Sequence, residues 1–484
     1  MALVAIVLLG DASAASQGQP EVPCTDSHVC AKYNLVCILN GTNSSHCGHC
    51  IKGRNGECEE LYGSEYECSD DGACKRKALW PLDWHDYATL AVLMAGGVVA
   101  AGGGIGGGGV FIPVLILLGG FKTSDAIPLS NVMIFGSSMA SMFLVLRQSH
   151  PHADKPLIEY DLAMVMQPLA LSGTVVGVVL NTVFPDWVVL ILLILVLLST
   201  TYRTTLKGVK EWKKEREGAE EEEEDPLMEN SSINVRAHTE VSVRKLQSMY
   251  EDEKRNPFMK QLILLSSLIL VVVHSLFIGG RGKSVIGIGP CSALYWSMFM
   301  LIFPILFLIT FMTVRYLLLS EKLKKALDYK YLPGDIHWNK KNSGIISLLS
   351  FGAGILSSLL GIGGGMILSP LMLELNVLPA VTAATSVCMI FFTSSSASVQ
   401  YAILSRILWD YGGVLFVIGL FSGIIGQLGL SWIVKKYKKM SLIIFTVVLI
   451  IGCSTILLGV TGGLRVLNKM RHSAYMGFNH YCPS

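Results

Sequence analysis

The chain has 484 residues with a formal net charge of +2, 51% hydrophobic and only 15% charged residues, and a mean hydropathy of +0.52. These values exclude an ordinary soluble enzyme, and the small charge without a basic stripe interleaved with aromatics excludes a nucleic-acid binder. What they leave is a protein that has lipid to face.

Residues 1–15 run from the apolar stretch Leu3 to Leu9 into Ala12-Ser13-Ala14, small residues at signal-peptidase spacing. So short an apolar stretch cannot span a bilayer. A cleaved secretory signal is predicted rather than an uncleaved anchor, although the basic start of a typical signal is missing. From 20 to 77 the composition inverts: eight of the twelve cysteines, Cys24, Cys30, Cys37, Cys47, Cys50, Cys58, Cys68 and Cys74, sit there among Gly, Ser, Asn and Asp. An even count in a short polar segment behind a secretory signal reads as a disulfide framework, exposed to the lumen or the cell exterior. His46-Cys47-Gly48-His49-Cys50 also offers zinc ligands, but thiolates oxidise in a secretory lumen, so disulfides and no metal are predicted. Asn40-Gly41-Thr42 and Asn43-Ser44-Ser45 are glycosylation acceptors on the same side. The module reads as a stability cap or a protein-binding surface.

Beyond Trp80-Pro81 the chain is a series of long apolar runs: 87–118, 125–146, 162–183, 187–205, 258–278, 291–319, 344–375, 379–404, 411–434 and 441–460. Most reach the ~20 apolar residues of a spanning helix. Two of them carry central glycine clusters, Gly102-Gly103-Gly104-Ile105-Gly106-Gly107-Gly108-Gly109 and Gly361-Ile362-Gly363-Gly364-Gly365. Each glycine costs a helix interior roughly 1 kcal/mol, so each run is predicted to break into two half-helices or a hairpin. A shift of 257 lays Gly104 on Gly361 and Pro113 on Pro370, and a shift of 256 lays Ser130 on Ser386, Phe135 on Phe391 and Ser138 on Ser394. The chain therefore holds two related halves, 86–205 and 341–461.

Basic residues stay on the cytosolic side of a membrane. Lys207, Lys210, Lys213, Lys214 and Arg216 follow one run, Lys322, Lys324, Lys325 and Lys330 another, and Lys435, Lys436, Lys438 and Lys439 a third. All three clusters become cytosolic if run 87–118 enters and leaves on one side. The two halves then start on opposite sides, which is an inverted-topology repeat of the kind used by secondary transporters. The predicted fold is an all-α integral membrane protein of two such repeats with glycine-broken or re-entrant first helices, plus the small disulfide-rich luminal domain. An acidic cytosolic linker (206–257, with Glu220 to Glu224), two inserted helices (258–319), a cytosolic loop (320–340) and a tail (462–484) complete it. The linker lacks apolar periodicity and reads as solvated and largely disordered.

The segment Gly-Gly-Gly-Ile-Gly-Gly-Gly-Gly-Val-Phe-Ile-Pro (102–113), its partner Leu-Gly-Ile-Gly-Gly-Gly-Met-Ile-Leu-Ser-Pro (360–370) and Ala384-Thr385-Ser386 resemble the TauE/SafE-like anion permeases. The likeness covers both halves, about half the chain, and suggests a eukaryotic-type member with an added cysteine-rich domain. It implies a secondary permease for small anions of the sulfite or sulfonate type. The first half departs from the pattern with Pro128-Leu129-Ser130-Asn131 in place of the triplet.

The glycine chemistry fits an anion independently. Consecutive glycines let backbone N–H groups converge, and a half-helix starting there adds its positive end. The alternative is close helix packing through small residues. The candidate anion-binding residues are Gly106, Gly107, Gly108, Ser130 and Asn131 in the first half and Gly363, Gly364, Gly365, Thr385 and Ser386 in the second. Ser138, Thr393 and Ser394 are further hydroxyls, and Glu374 ends the second half-helix. His274, mid-helix and outside the repeats, is a candidate proton carrier or else a packed neutral histidine. No nucleophile–base pair, metal-ligand spacing or nucleotide loop points to an enzyme or a cofactor. The implied partners are a small inorganic or organic anion and the bilayer of the plasma membrane or an endomembrane, with proton coupling and homo-oligomerisation both open. An anion channel, or a receptor whose luminal domain binds a protein, are the alternative functions.

Two outcomes are expected. A cysteine introduced near Lys213 should be labelled only after permeabilisation, and the tail around His480 should be luminal; labelling near Lys213 in intact cells would sink the inverted arrangement. Intact mass under non-reducing conditions should show the eight cysteines oxidised and glycan on Asn40 or Asn43, whereas eight free thiols or stoichiometric zinc would contradict the disulfide framework.

Overall fold

In lipid every backbone N–H and C=O must be satisfied within the chain, which leaves helix as the state for the long apolar runs. A computed structural model describes residues 36–40, 44–48, 66–68, 74–104, 106–150, 155–221, 258–279, 292–327, 335–375 and 377–437, with short helical pieces between 445 and 463. The first half contributes α1 (Trp84–Gly102), the short α2 (Gly108–Leu117), α3 (Thr123–Val145), α4 (Tyr160–Val183) and α5 (Asp186–Glu221). Two helices intervene, α6 (Phe258–Ile278) and α7 (Ala293–Ala326). The same order of long, short, long, long then recurs as α8 (Lys340–Leu360), α9 (Gly364–Glu374), α10 (Pro379–Ile403) and α11 (Trp409–Tyr437). Among the described residues eight helices are long and apolar enough to cross a membrane.

Both glycine-rich runs are broken, as expected. Two boundaries move outward: α5 continues through Lys213 to Glu221, into the stretch read as linker, and α7 runs past 319 to Ala326. The signal segment, most of the cysteine-rich module including Asn43, the rest of the linker and the tail lie outside the described residues. Of that module, β1 (Val36–Asn40) pairs antiparallel with β2 (Ser44–Gly48), setting Cys37 opposite Cys47. β3 (Tyr66–Cys68) pairs with β4 (Cys74–Arg76), setting Cys68 opposite Cys74 and Tyr66 opposite Arg76.

Burial sorts the helices. The most apolar window of α4 is 94% buried and that of α10 83%, against 28% for α5 and α6 and 33% for α7. A helix apolar all round and buried is a core element, and those left exposed face lipid. The halves interlock through glycine. A Cβ placed on Gly177 of α4 would lie 2.3 Å from the Ile355 carbonyl oxygen of α8, and one on Gly426 of α11 would lie 2.4 Å from the Val98 oxygen of α1. Each half's last core helix thus packs backbone to backbone on the first helix of the other half, where small residues permit contact without a hydrophobic driving force.

The β3–β4 hairpin is docked on one end of this bundle. The Tyr66 hydroxyl donates to Asp125 Oδ2 at 3.3 Å, and burial pushes the Tyr66 phenol pKa up. The Arg76 guanidinium lies 3.7 Å from the Phe121 ring centroid and 5.1 Å from that of Tyr411, two rings that meet edge to face at 5.0 Å. Lys77 pairs with Asp83 at the start of α1, holding the Asp83 carboxyl below its ordinary value.

A matched pair of substitutions on α8 tests the seam. A Cβ on Gly354 would fall 2.1 Å from the Ala170 oxygen, whereas one on Gly352 meets nothing within 4 Å. Gly354→Ala should cost about 1–3 kcal/mol of stability through overpacking, read as a lower Tm of the purified protein in detergent, while Gly352→Ala should be neutral or gain up to ~1 kcal/mol from helix propensity.

Candidate functional site

The two glycine breaks share positive φ at two paired positions. Gly104 and Gly361, one repeat apart, both have φ +66, and Gly106 and Gly363 have φ +85 and +76, in the left-handed region that a side chain penalises. In the first half a further left-handed residue, Gly107 at φ +81, caps α2, and a Cβ there would strike the Phe111 ring at 2.5 Å.

The breaks also touch each other. A Cβ on Gly108, the first residue of α2, would lie 2.2 Å from Ile362 Cα and 2.5 Å from the Gly361 oxygen. Ser130 of α3 reaches the same place, donating its hydroxyl to the Gly361 oxygen at 2.8 Å. Its neighbour Asn131 donates from Nδ2 to the Ile127 oxygen at 3.0 Å, while its Oδ1 is buried without a hydrogen-bond partner. An orphaned buried acceptor costs free energy, so it marks a place that wants a donor.

On the second half, Ser386 of α10 bonds Ser369 of α9 at 2.6 Å, and Ser369 donates to the Gly365 oxygen at 2.6 Å. Thr385 Oγ1 accepts from the Glu159 N–H at 3.0 Å, so it faces the start of α4. Beside the N-terminus of α9, a Cβ on Gly364 would stand 3.2 Å from Thr393 Oγ1 and 3.7 Å from Ser357 Oγ. The Thr393 hydroxyl donates back to the Met389 oxygen at 2.9 Å and that of Ser394 to the Ile390 oxygen at 2.6 Å, a common use of hydroxyls in apolar helices.

Residues one repeat apart meet their own counterparts between α3 and α10. Ser138 Oγ is 3.3 Å from Ser394 Oγ, and the Phe135 and Phe391 rings have centroids 5.9 Å apart. Such self-complementary contact is the pattern of a two-fold interface. Sequence reasoning passed over Ile390 and its counterpart Ile134. A Cβ on Gly365 would meet Ile390 at 2.4 Å and one on Gly106 would meet it at 3.0 Å, while Gly363 looks onto Ile134 at 3.6 Å and Ile390 at 3.8 Å. One isoleucine thus fills the hollow between three of the predicted anion-binding glycines. Both isoleucines looked like ordinary core residues, and only their shared shift of 256 could have singled them out.

Two other expected residues lie elsewhere. His274 donates from Nε2 to the Met298 oxygen at 2.9 Å, which fixes its tautomer and leaves a buried Nδ1 without a partner. It lines a cavity of about 40 Å³ with Val175, Tyr295 and Gln400 rather than with the glycines. Glu374 pairs with Arg203 of α5 at 3.0 Å on the surface.

The model of the family described as "Sulfite exporter TauE/SafE" matches residues 87–240 and 264–455, more than half of the chain. Among curated proteins, Sulfite exporter TauE/SafE family protein 3 of Arabidopsis thaliana is 31% identical over 418 residues, covering 84% of this chain and 85% of that one. Family proteins 1 and 5 of the same plant are each 30% identical, with 77% of this chain and 82% of theirs covered. No solved structure matches. The broken helices, the apolar spans and these relatives converge, and the chain belongs to the sulfite exporter TauE/SafE family as a multi-pass integral membrane protein of a transporter family.

Proposed function

We propose that this protein is a secondary permease that moves small anions of the sulfite or sulfonate type by alternating access between two inverted-topology repeats. One observation carries the reading: the two glycine breaks meet at Gly108 and Ile362, beside the counterpart pairs Ser138–Ser394 and Phe135–Phe391. A transporter of inverted repeats has its substrate site at broken helices near the midplane, where half-helix N-termini face an anionic group. Here the N-termini of α2 and α9 supply unpaired N–H groups and positive dipole ends, so an oxyanion needs no cationic side chain.

In this reading Gly106, Gly107, Gly108, Gly363, Gly364 and Gly365 form the cradle. Ser130 and Ser386 hold the breaks through the Gly361 oxygen and Ser369, and the orphaned Asn131 acceptor and Thr385 flank them. Ile390, packed where Cβ atoms on Gly106 and Gly365 would fall, lies over the cradle and must be displaced when the anion binds. The cysteine-rich hairpin sits on the luminal mouth, held by Arg76 between Phe121 and Tyr411.

Saturable counterflow of labelled sulfite in proteoliposomes tests the reading. Flux that never saturates and shows no counterflow would indicate a channel, and none above protein-free vesicles would remove transport altogether. Within that assay Gly364→Ala separates a binding site from packing. Its Cβ would lie 3.2 Å from Thr393, a contact that a small shift relieves, and φ there is helical. Transport should fall by roughly tenfold or more, an affinity loss of about 1.4 kcal/mol, while Tm holds. Gly107→Ala should instead destabilise the fold, because its backbone is left-handed and Phe111 blocks the added carbon. Normal transport by a well-folded Gly364→Ala protein would move the anion site away from the glycines.

A further inference from the structure

A second polar centre lies away from the glycine breaks, where the starts of α4 and α6, the end of α7 and the segment leading into α8 converge. It encloses a cavity of about 70 Å³ with charges of both signs on its walls: Lys155, Lys260 and Lys324 against Glu159, Asp161, Glu321 and Asp335. Most of these charges are paired off. Lys260 Nζ lies 2.5 Å from Asp161 Oδ1, Lys155 Nζ lies 3.0 Å from Asp335 Oδ1, and Glu321 Oε1 sits 3.5 Å from both Lys325 Nζ and His337 Nδ1. Glu159 is the carboxylate with the loosest claim, since Lys155 stands 3.8 Å from its Oε2 while engaging Asp335 more closely.

Glu159 is also tied to the candidate anion site. Its backbone N–H donates to Thr385 Oγ1 at 3.0 Å, and Thr385 precedes Ser386, the residue that bonds Ser369 on α9. The residue therefore joins the charged cavity to the triplet beside the second glycine break. It also faces Lys155 and Asp161 of the first half and Asp335 of the loop before the second, together with Lys260, Glu321 and Lys324 of the two inserted helices. Tyr160, which lines the same cavity, accepts a hydrogen bond from Gln261.

We propose that Glu159 is the proton-binding residue through which this protein couples anion movement to protons, an inference that rests on the transport reading given above. The carboxylate takes one proton from the water of the cavity and becomes a neutral carboxyl, and returns that proton when it ionises. Protonation releases Lys155 to Asp335, and ionisation draws the lysine back, so a single proton redistributes an ion pair between the first half and the loop that leads into the second. Burial first, and the nearby Asp161 second, push the Glu159 carboxyl up to about 7, the range where a physiological proton gradient can load and unload it. The sign of the linkage follows. A carboxyl raised in the folded state binds its proton more tightly there than when unfolded, so its contribution to stability is present at low pH and is lost as pH rises toward 7.

The test uses the full chain in proteoliposomes with labelled sulfite as probe and protein-free vesicles as background. Glu159→Gln, which mimics the neutral carboxyl, should keep anion counterflow, which needs no net proton movement. It should also lose the stimulation of uptake by an imposed pH gradient by at least roughly fivefold, the low end of coupling between linked sites. Glu159→Asp should restore part of the gradient response, and the fall in wild-type Tm between about pH 4.5 and 7 should flatten in Glu159→Gln. A Glu159→Gln protein that responds to the gradient as wild type does, or one that loses counterflow as well, overturns the assignment but leaves the transport reading standing. Absence of wild-type counterflow overturns both.

Discussion

The contact between Gly108 and the Gly361–Ile362 backbone is the constraint around which the bundle is arranged. A helix that stops inside a bilayer exposes N–H and C=O groups that lipid cannot satisfy, so such a break survives only where protein surrounds it. Here each half surrounds the break of the other. Ser130 of the first half satisfies the Gly361 oxygen of the second, and the Asn181 side chain of α4 donates to the Leu359 oxygen at 2.9 Å, just before that break. The same need explains why α3, α4 and α10 are so buried and why α5, α6 and α7 can stay at the lipid boundary.

Close approach of backbones has a second consequence. Gly177, Gly354, Gly419 and Gly426 put helices in contact through carbonyl oxygens rather than through interdigitated side chains. Such seams offer little to stop one rigid helix group from sliding or rocking on another, provided both positions keep the small residues opposed. In the proposed alternating-access cycle, counterpart contact at Ser138–Ser394 and Phe135–Phe391 would put the pivot between α3 and α10. The proposed proton site at Glu159 lies at the periphery, where Lys155, before α4, pairs with Asp335, before α8.

The breaks were legible in the sequence because glycine clustering is expensive in a helix and because it occurs twice at one spacing. Their mutual contact was not, since no periodicity records which break meets which. Helix α5 runs beyond its apolar stretch for a physical reason. Glu211, Lys213, Lys214, Glu215, Arg216 and Glu217 are strong helix formers, and their polarity marks where the chain leaves the bilayer, not where it leaves the helix. The hairpin dock was hidden because Tyr66 and Arg76 are ordinary residues of a cysteine-rich segment until Phe121 and Tyr411 are placed beneath them. Glu159 was hidden likewise: its meaning depends on Asp335 and Lys260, which are distant in sequence.

Ile390 gives the arrangement its direction. Its side chain packs where Cβ atoms on Gly106 and Gly365 would fall, so hydrocarbon fills the space beside both breaks. A branched residue has few rotamers in a helix, and its departure therefore requires α10 to move against α9 rather than a side chain to flip. That movement pulls on the Ser386–Ser369 bond at one side and on the Thr385–Glu159 bond at the other. In the proposed cycle, displacing Ile390 from the glycine breaks and disturbing the Glu159 cavity are therefore one movement of one helix, which is the physical condition for an anion and a proton to be coupled.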